Sequence, residues 1–149
     1  MRAAVIGMVV VLAGCAAGSD VPAGPREVSA AGAPALGPYA SAVVAGDFVF
    51  VSGQLPYDAK ARSMVSGDIG IQTRQTLTNV QTLLDAAGSE RDRVVKVTVY
   101  LADAADFAGM NAAYAEFFGK HRPARTTAPG IVLPPGVRIE IDAVALRGR

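Results

Sequence analysis

The chain has 149 residues, 51% hydrophobic and 18% charged, which suits one domain and leaves no room for two of ordinary size. Fourteen Lys and Arg against thirteen Asp and Glu give a formal charge of +1, with no basic stripe. That balance argues against a nucleic-acid partner and against a polybasic membrane-surface patch. One Cys and one His exclude an internal disulfide framework and every zinc site built from several Cys or His.

The N-terminus reads as an address. Met1-Arg2 is a minimal positive region, and residues 3–11 (AAVIGMVVV) form an apolar run too short to cross a bilayer as a stable helix. The run enters Leu12-Ala13-Gly14-Cys15, which has the form of a bacterial lipobox: an aliphatic residue, two small ones, then Cys. Small side chains there let a peptidase free the Cys amino group. Several acyl chains on one residue then hold firmly where a single chain holds only marginally. On this reading residues 1–14 are a lipoprotein signal peptide and Cys15 is lipidated. The protein is then exported and touches the membrane only through its lipid anchor, at the periplasmic face of the cell envelope. Ala16 after the Cys gives no Asp-type inner-membrane retention signal, so the outer membrane is the expected location. The alternative is a buried strand whose Cys is a small hydrophobe. Loss of Arg2 with the leader leaves 13 basic and 13 acidic residues.

Residues 15–25 are mostly Ala, Gly and Pro, cannot bury an apolar face, and read as a flexible tether ahead of a domain at 26–149. The stretch 41–54 (SAVVAGDFVFVSGQ) predicts two strands around Ala45-Gly46-Asp47. Residues 55–67 read as a loop. Asp68 caps an expected helix from Ile69 to about Ala87, with Gly88 as its stop. Leu77, Val80, Leu84 and Ala87 make its apolar stripe, and Gln72, Arg74, Gln75 and Thr82 lie off it.

Residues 94–101 (VVKVTVYL) predict a strand with Val95, Val97, Val99 and Leu101 on one face and Lys96, Thr98 and Tyr100 on the other. Asp103 or Asp106 opens a second helix through Phe118, with Phe107, Met110, Tyr114 and Phe117 at helical spacing and Gly119 at its end. Residues 122–127 (RPARTT) read as a loop stiffened by Pro123. Residues 137–146 predict the last strand, with Arg138, Glu140 and Asp142 opposite its apolar face. The order is β-β-α-β-α-β, with an extra strand near Val28 left open. Two helices on one face of a mixed sheet give a two-layer α+β sandwich. The other sheet face is too mixed for a core and too apolar to stay bare, which suggests an oligomer interface.

Familiar nucleophilic triads fail on the count, because His121 sits in a polar surface loop and the only Cys is the lipidation candidate Cys15. Arg and carboxylate remain. Arg125 suits bidentate capture of a planar carboxylate. Glu140, among Ile139, Ile141 and Val144, pairs with a cation, faces an interface, or carries a proton.

Taken in order, a set of motifs resembles the RidA/YjgF family of reactive-intermediate deaminases. They are Gly37-Pro38-Tyr39, Val51-Ser52-Gly53-Gln54-Leu55-Pro56, and Gln72 to Leu77 with Asn79-Val80. Then come Val95 to Leu101, Asp106-Phe107, Met110-Asn111, Pro123-Ala124-Arg125-Thr126-Thr127 and Ile139-Glu140-Ile141-Asp142. The likeness covers about residues 27–146, with a short deletion before Pro123. It implies a chorismate-mutase-like α+β fold and a homotrimer with sites in clefts between subunits. It also implies cofactor-free hydrolysis of enamine/imine intermediates such as 2-aminoacrylate to 2-keto acids and ammonia. By the same resemblance Arg125 binds the substrate carboxylate and Glu140 positions or activates water. Tyr39, Ser52, Gly53, Asn111 and Thr127 match pocket-lining positions. Thr127, where relatives often carry Cys, and Ser41, where Gln is common, are departures. The rival reading is a non-catalytic trimer that binds small carboxylates. A ribonuclease reading, also attached to relatives, fits poorly with zero mature charge.

Overall fold

The computed structural model describes residues 24–148. The proposed leader, Cys15 and nearly all of the tether lie outside the described residues. Eight strands and two helices follow in chain order: β1 (Arg26–Val28), β2 (Ala42–Ala45), β3 (Phe48–Gln54), β4 (Tyr57–Asp58), β5 (Ser63–Met64), α1 (Ile69–Ala86), β6 (Val94–Leu101), α2 (Phe107–Phe118), β7 (Ala124–Pro129) and β8 (Ile139–Leu146). Six strands form one sheet in the order β1-β2-β3-β8-β6-β7. Every pairing in it is antiparallel except β6 with β7. The helices are the crossovers that bring β6 and β7 into place. Both lie on one face, as the expected two-layer α+β sandwich requires.

Local chemistry sets the ends of α1. The Asp68 carboxylate accepts a hydrogen bond from the Ile71 amide at 2.8 Å, satisfying one of the free donors of the first turn. At the other end Gly88 takes φ +75°, a conformation that suits glycine, and Ser89 N–H closes the turn on Leu84 O at 2.8 Å. Leu77, Val80, Leu83 and Leu84 are fully buried against Val97, Val99, Ile139, Ile141 and Ala143 of the sheet. Each such side chain contributes about 1.5–3 kcal/mol on leaving water.

Several expectations are corrected. Residues 122–127 are not a loop: β7 runs through Arg125 and pairs in parallel with β6. Pro123 precedes it and Pro129 is its last residue, a pattern tolerated because β7 is an edge strand. Residues 55–67 hold the small β4–β5 pair. The last strand begins at Ile139, and the short strand near Val28 exists as β1. Val95 points outward at 39% exposure while Val94 is buried, because a register shift between Val94 and Lys96 turns the strand there. Gln72 is only 1% exposed: its amide donates to Gly136 O and accepts from Arg138 N–H, both at 2.8 Å.

On α2 the core is reached by Met110, Ala113, Tyr114 and Phe118, while Phe107 is 47% exposed. Asp103 caps the short turn ahead of that helix. Asp106 is buried and spends its carboxylate on Arg138, accepting from Nε at 2.8 Å and from Nη2. The pair ties the start of α2 to the start of β8. The face of the sheet away from the helices carries Phe48, Phe50, Lys96, Thr98, Tyr100, Glu140, Asp142, Val144 and Leu146, as their register requires.

Candidate active site

The expected site residues fall into two groups. Arg125 pairs with Val97 across the β6–β7 ladder, and Val97 is buried under the helices, so Arg125 points to the helix face. Thr127 pairs with Val99 and shares that face. The guanidinium carbon of Arg125 lies 4.6 Å from the centre of the Tyr114 ring and 5.9 Å from that of Phe107. Its Nη1 is 3.9 Å from Met110 Sδ. Among the described residues Arg125 has no ion-pair partner. It borders an open hollow of about 400 Å³ with Asn111, Tyr114, His121, Arg122 and Pro123.

Aromatic faces hold the cation without neutralising it. Burial pushes the Tyr114 phenol up to about 12 against the opposing pull of Arg125, so the ring stays neutral. Its hydroxyl has no hydrogen-bond partner among the described residues. Tyr114 therefore serves Arg125 through its ring. Replacing Tyr114 by Leu should raise KM for a carboxylate substrate ~2–30-fold, the range for one lost cation–π contact. Steady-state kinetics on the folded variant checks this.

The second group lies on the opposite face. Tyr100 pairs with Glu140, and Tyr100 alternates with Val97 and Val99 along β6, so Glu140 points away from the helices. Its Oε1 sits over Gly53. A Cβ built on Gly53 would come within 1.8 Å of that oxygen, so only glycine leaves room for the carboxyl group. Gly53→Ala should displace Glu140 and cut kcat at least tenfold while the chain still folds, checked by kinetics beside circular dichroism.

Ser52, next to Gly53, donates its hydroxyl to Ala40 O at 2.7 Å, which leaves the oxygen free to accept. Tyr39 is half exposed and lines a narrow crevice with Gly53, Gln54 and Asn79. Burial raises the proton affinity of Glu140, and the neighbouring charge of Asp142 raises it further. Sequence reasoning saw Tyr114 as core and gave no site role to Tyr100, Asp142 or Phe107. The Tyr100 and Asp142 signal was their alternation with Val97, Val99 and Ile141 on the mixed face.

Arg125 with Asn111 and Thr127, and Glu140 with Gly53, are thus two groups on opposite faces of the sheet, while Tyr39 lines a crevice that reaches Gly53 from the side of Asn79. One chain does not bring its own Arg125 to its own Glu140.

The family model for endoribonuclease L-PSP proteins, the RidA/YjgF group, matches residues 30–147. The chain belongs to the RidA/YjgF family. It is 50% identical over 112 residues to a RutC family protein of Pyrococcus horikoshii, covering 75% of this chain and 89% of that protein. It is 42% identical over 124 residues to the human 2-iminobutanoate/2-iminopropanoate deaminase, covering 83% and 90%. The crystal structure of E. coli TdcF with bound serine aligns with a TM-score of 0.77 at 35% identity, covering 83% of this chain and 99% of that one.

Proposed function

We propose that the protein hydrolyses 2-imino acids, formed from enamines such as 2-aminoacrylate, to 2-keto acids and ammonia in clefts between the subunits of a homotrimer. The observation that carries this reading is the split site. Arg125, held by aromatic rings and with no ion-pair partner among the described residues, is suited to an anion. Glu140, on the other side of the sheet, needs a second copy to meet it. A symmetric ring supplies each Arg125 with the Glu140 of its neighbour. Serine in TdcF is a small amino acid carrying the kind of carboxylate that Arg125 suits.

The chemistry asks little of the protein, because the C=N carbon is already electrophilic. Arg125 takes the substrate carboxylate with two parallel N–H donors and turns a bimolecular encounter into a positioned one. Glu140 accepts a proton from water as its oxygen bonds to the carbon, and the C=N π pair passes to nitrogen, which takes up a proton. The carbinolamine then collapses: its amino group takes up a second proton, returned by Glu140, its hydroxyl loses a proton, C=O forms, and the C–N bond breaks to release ammonia. No electrons are gained or lost. Asn111, Thr127, Ser52 and Tyr39 supply polar atoms around the two groups.

The test generates 2-aminoacrylate in situ and compares ammonia release with and without the protein. Acceleration is expected. Tight binding of 2-keto acids with no acceleration selects the rival, a periplasmic trimer that binds small carboxylates. We also propose that residues 1–14 are cleaved, that Cys15 carries the lipid anchor, and that the anchored protein faces the periplasm. Incorporation of labelled fatty acid into the wild type, and none into Cys15→Ala, is the expected result.

A further inference from the structure

We propose that Tyr100 and Asp142 are positioning residues for Glu140: the Tyr100 hydroxyl fixes the Asp142 carboxylate on the outer face of β8, so that a fixed negative charge faces the carboxyl group the reaction uses. The inference rests on the reading that Glu140 carries the proton. Tyr100 stands directly across from Glu140 in the β6–β8 ladder, yet its hydroxyl donates to Asp142 Oδ2 at 3.0 Å, one pleat further along. Glu140 and Asp142 are two residues apart on one strand and so share a face.

Among the described residues no cation forms an ion pair with Asp142. Lys96, the nearest candidate on β6, turns its ammonium to Thr126 Oγ1 at 2.6 Å and Val97 O at 3.1 Å. Arg138, two residues before Glu140, is paired with Asp106. The β3 residues beside Glu140, Ser52 and Gly53, carry no charge. In the proposed cleft a second copy brings Arg125, with Arg122 bordering the same hollow, and this positive charge draws the proton off Glu140. Asp142 opposes that pull.

The balance has a chemical use. A carboxyl group beside only a guanidinium is a poor base, because the cation holds its proton affinity low. One that also faces a fixed carboxylate can take a proton from water and give it back to the departing nitrogen. The bond to Asp142 is also the largest cause of a raised Tyr100 phenol, so Tyr100 stays a donor throughout neutral pH.

The experiment titrates the Glu140 carboxyl carbon by NMR in the full-length assembled protein, assigned by its disappearance in Glu140→Gln. The midpoint should be highest in the wild type, lower in Tyr100→Phe and lowest in Asp142→Asn. The acid limb of the kcat–pH profile should move in the same order. Tyr100→Phe keeps the ring and its packing, so the order is readable even if Asp142→Asn folds poorly. An unchanged midpoint in both variants overturns the proposal. A midpoint that falls while the acid limb stays still supports the positioning and removes Glu140 from the proton step, so the two ideas fail separately.

Discussion

Replacing Arg125 by Lys lowers kcat/KM for a 2-imino acid by ~10–10²-fold, the value of one charge-assisted hydrogen bond lost from a bidentate pair. The charge survives, but an ammonium cannot present two parallel donors in a plane. Nor does it stack over Tyr114 as the guanidinium does at 4.6 Å. Arg125→Ala goes further and also removes the cation. The stability cost of either change should be confined to the lost stacking on Tyr114 and Phe107, since Arg125 has no ion-pair partner among the described residues. Near-normal turnover in Arg125→Lys, measured by ammonia release on protein with an unchanged Tm, removes Arg125 from the mechanism.

Glu140→Gln should lower kcat by ~10²–10⁴-fold, the usual range for a lost general base, with a smaller effect on binding of 2-keto acids. It should also change the pH dependence of stability. Burial, then Asp142, raises the proton affinity of Glu140 in the folded chain. The folded state therefore prefers the protonated form. The stabilisation this gives is complete below the unfolded carboxyl midpoint and is lost as pH rises through the higher folded midpoint. The uncharged amide has no such loss, so in an Arg125→Ala background, which removes a second copy's opposing pull, the Glu140→Gln variant should gain in Tm over its parent on going from acid to neutral pH. A parallel Tm profile for the two proteins contradicts this account of the Glu140 environment.

The parts of the fold written in neighbouring residues were legible. Asp68 and Gly88 bracket α1 because a cap and a stop act within one turn. Alternation around Ile139, Ile141 and Ala143 marks β8 because one face is core and the other is not. What escaped depends on distant partners. Strand β7 has polar residues on both faces and prolines at both ends, and only the ladder to β6 makes it a strand. Gln72 looks like a surface residue until residues 136 and 138 supply its partners. The bulge at Val94 shifts the face of Val95 without any sign in the alternating pattern.

The same limit applies to the site. Arg125 and Glu140 were identifiable by residue type and resemblance, but their separation by the sheet follows from register. Had 122–127 remained a loop, Arg125 could have been drawn to either face. The Arg125 platform, Tyr114 with Phe107, was hidden because aromatic residues at helical spacing read as core. Phe107 is largely outside it.

The split site is tested most directly by mixing two defective proteins. Arg125→Ala keeps Glu140, and Glu140→Gln keeps Arg125; each alone should be nearly inactive. Unfolded together in equal amounts and refolded, they form mixed trimers in which one cleft of three receives both native groups. Random assembly then predicts recovery of about a quarter of wild-type activity. Activity no higher than that of the separate variants, with mixed trimers verified by mass spectrometry, would contradict a site shared between copies.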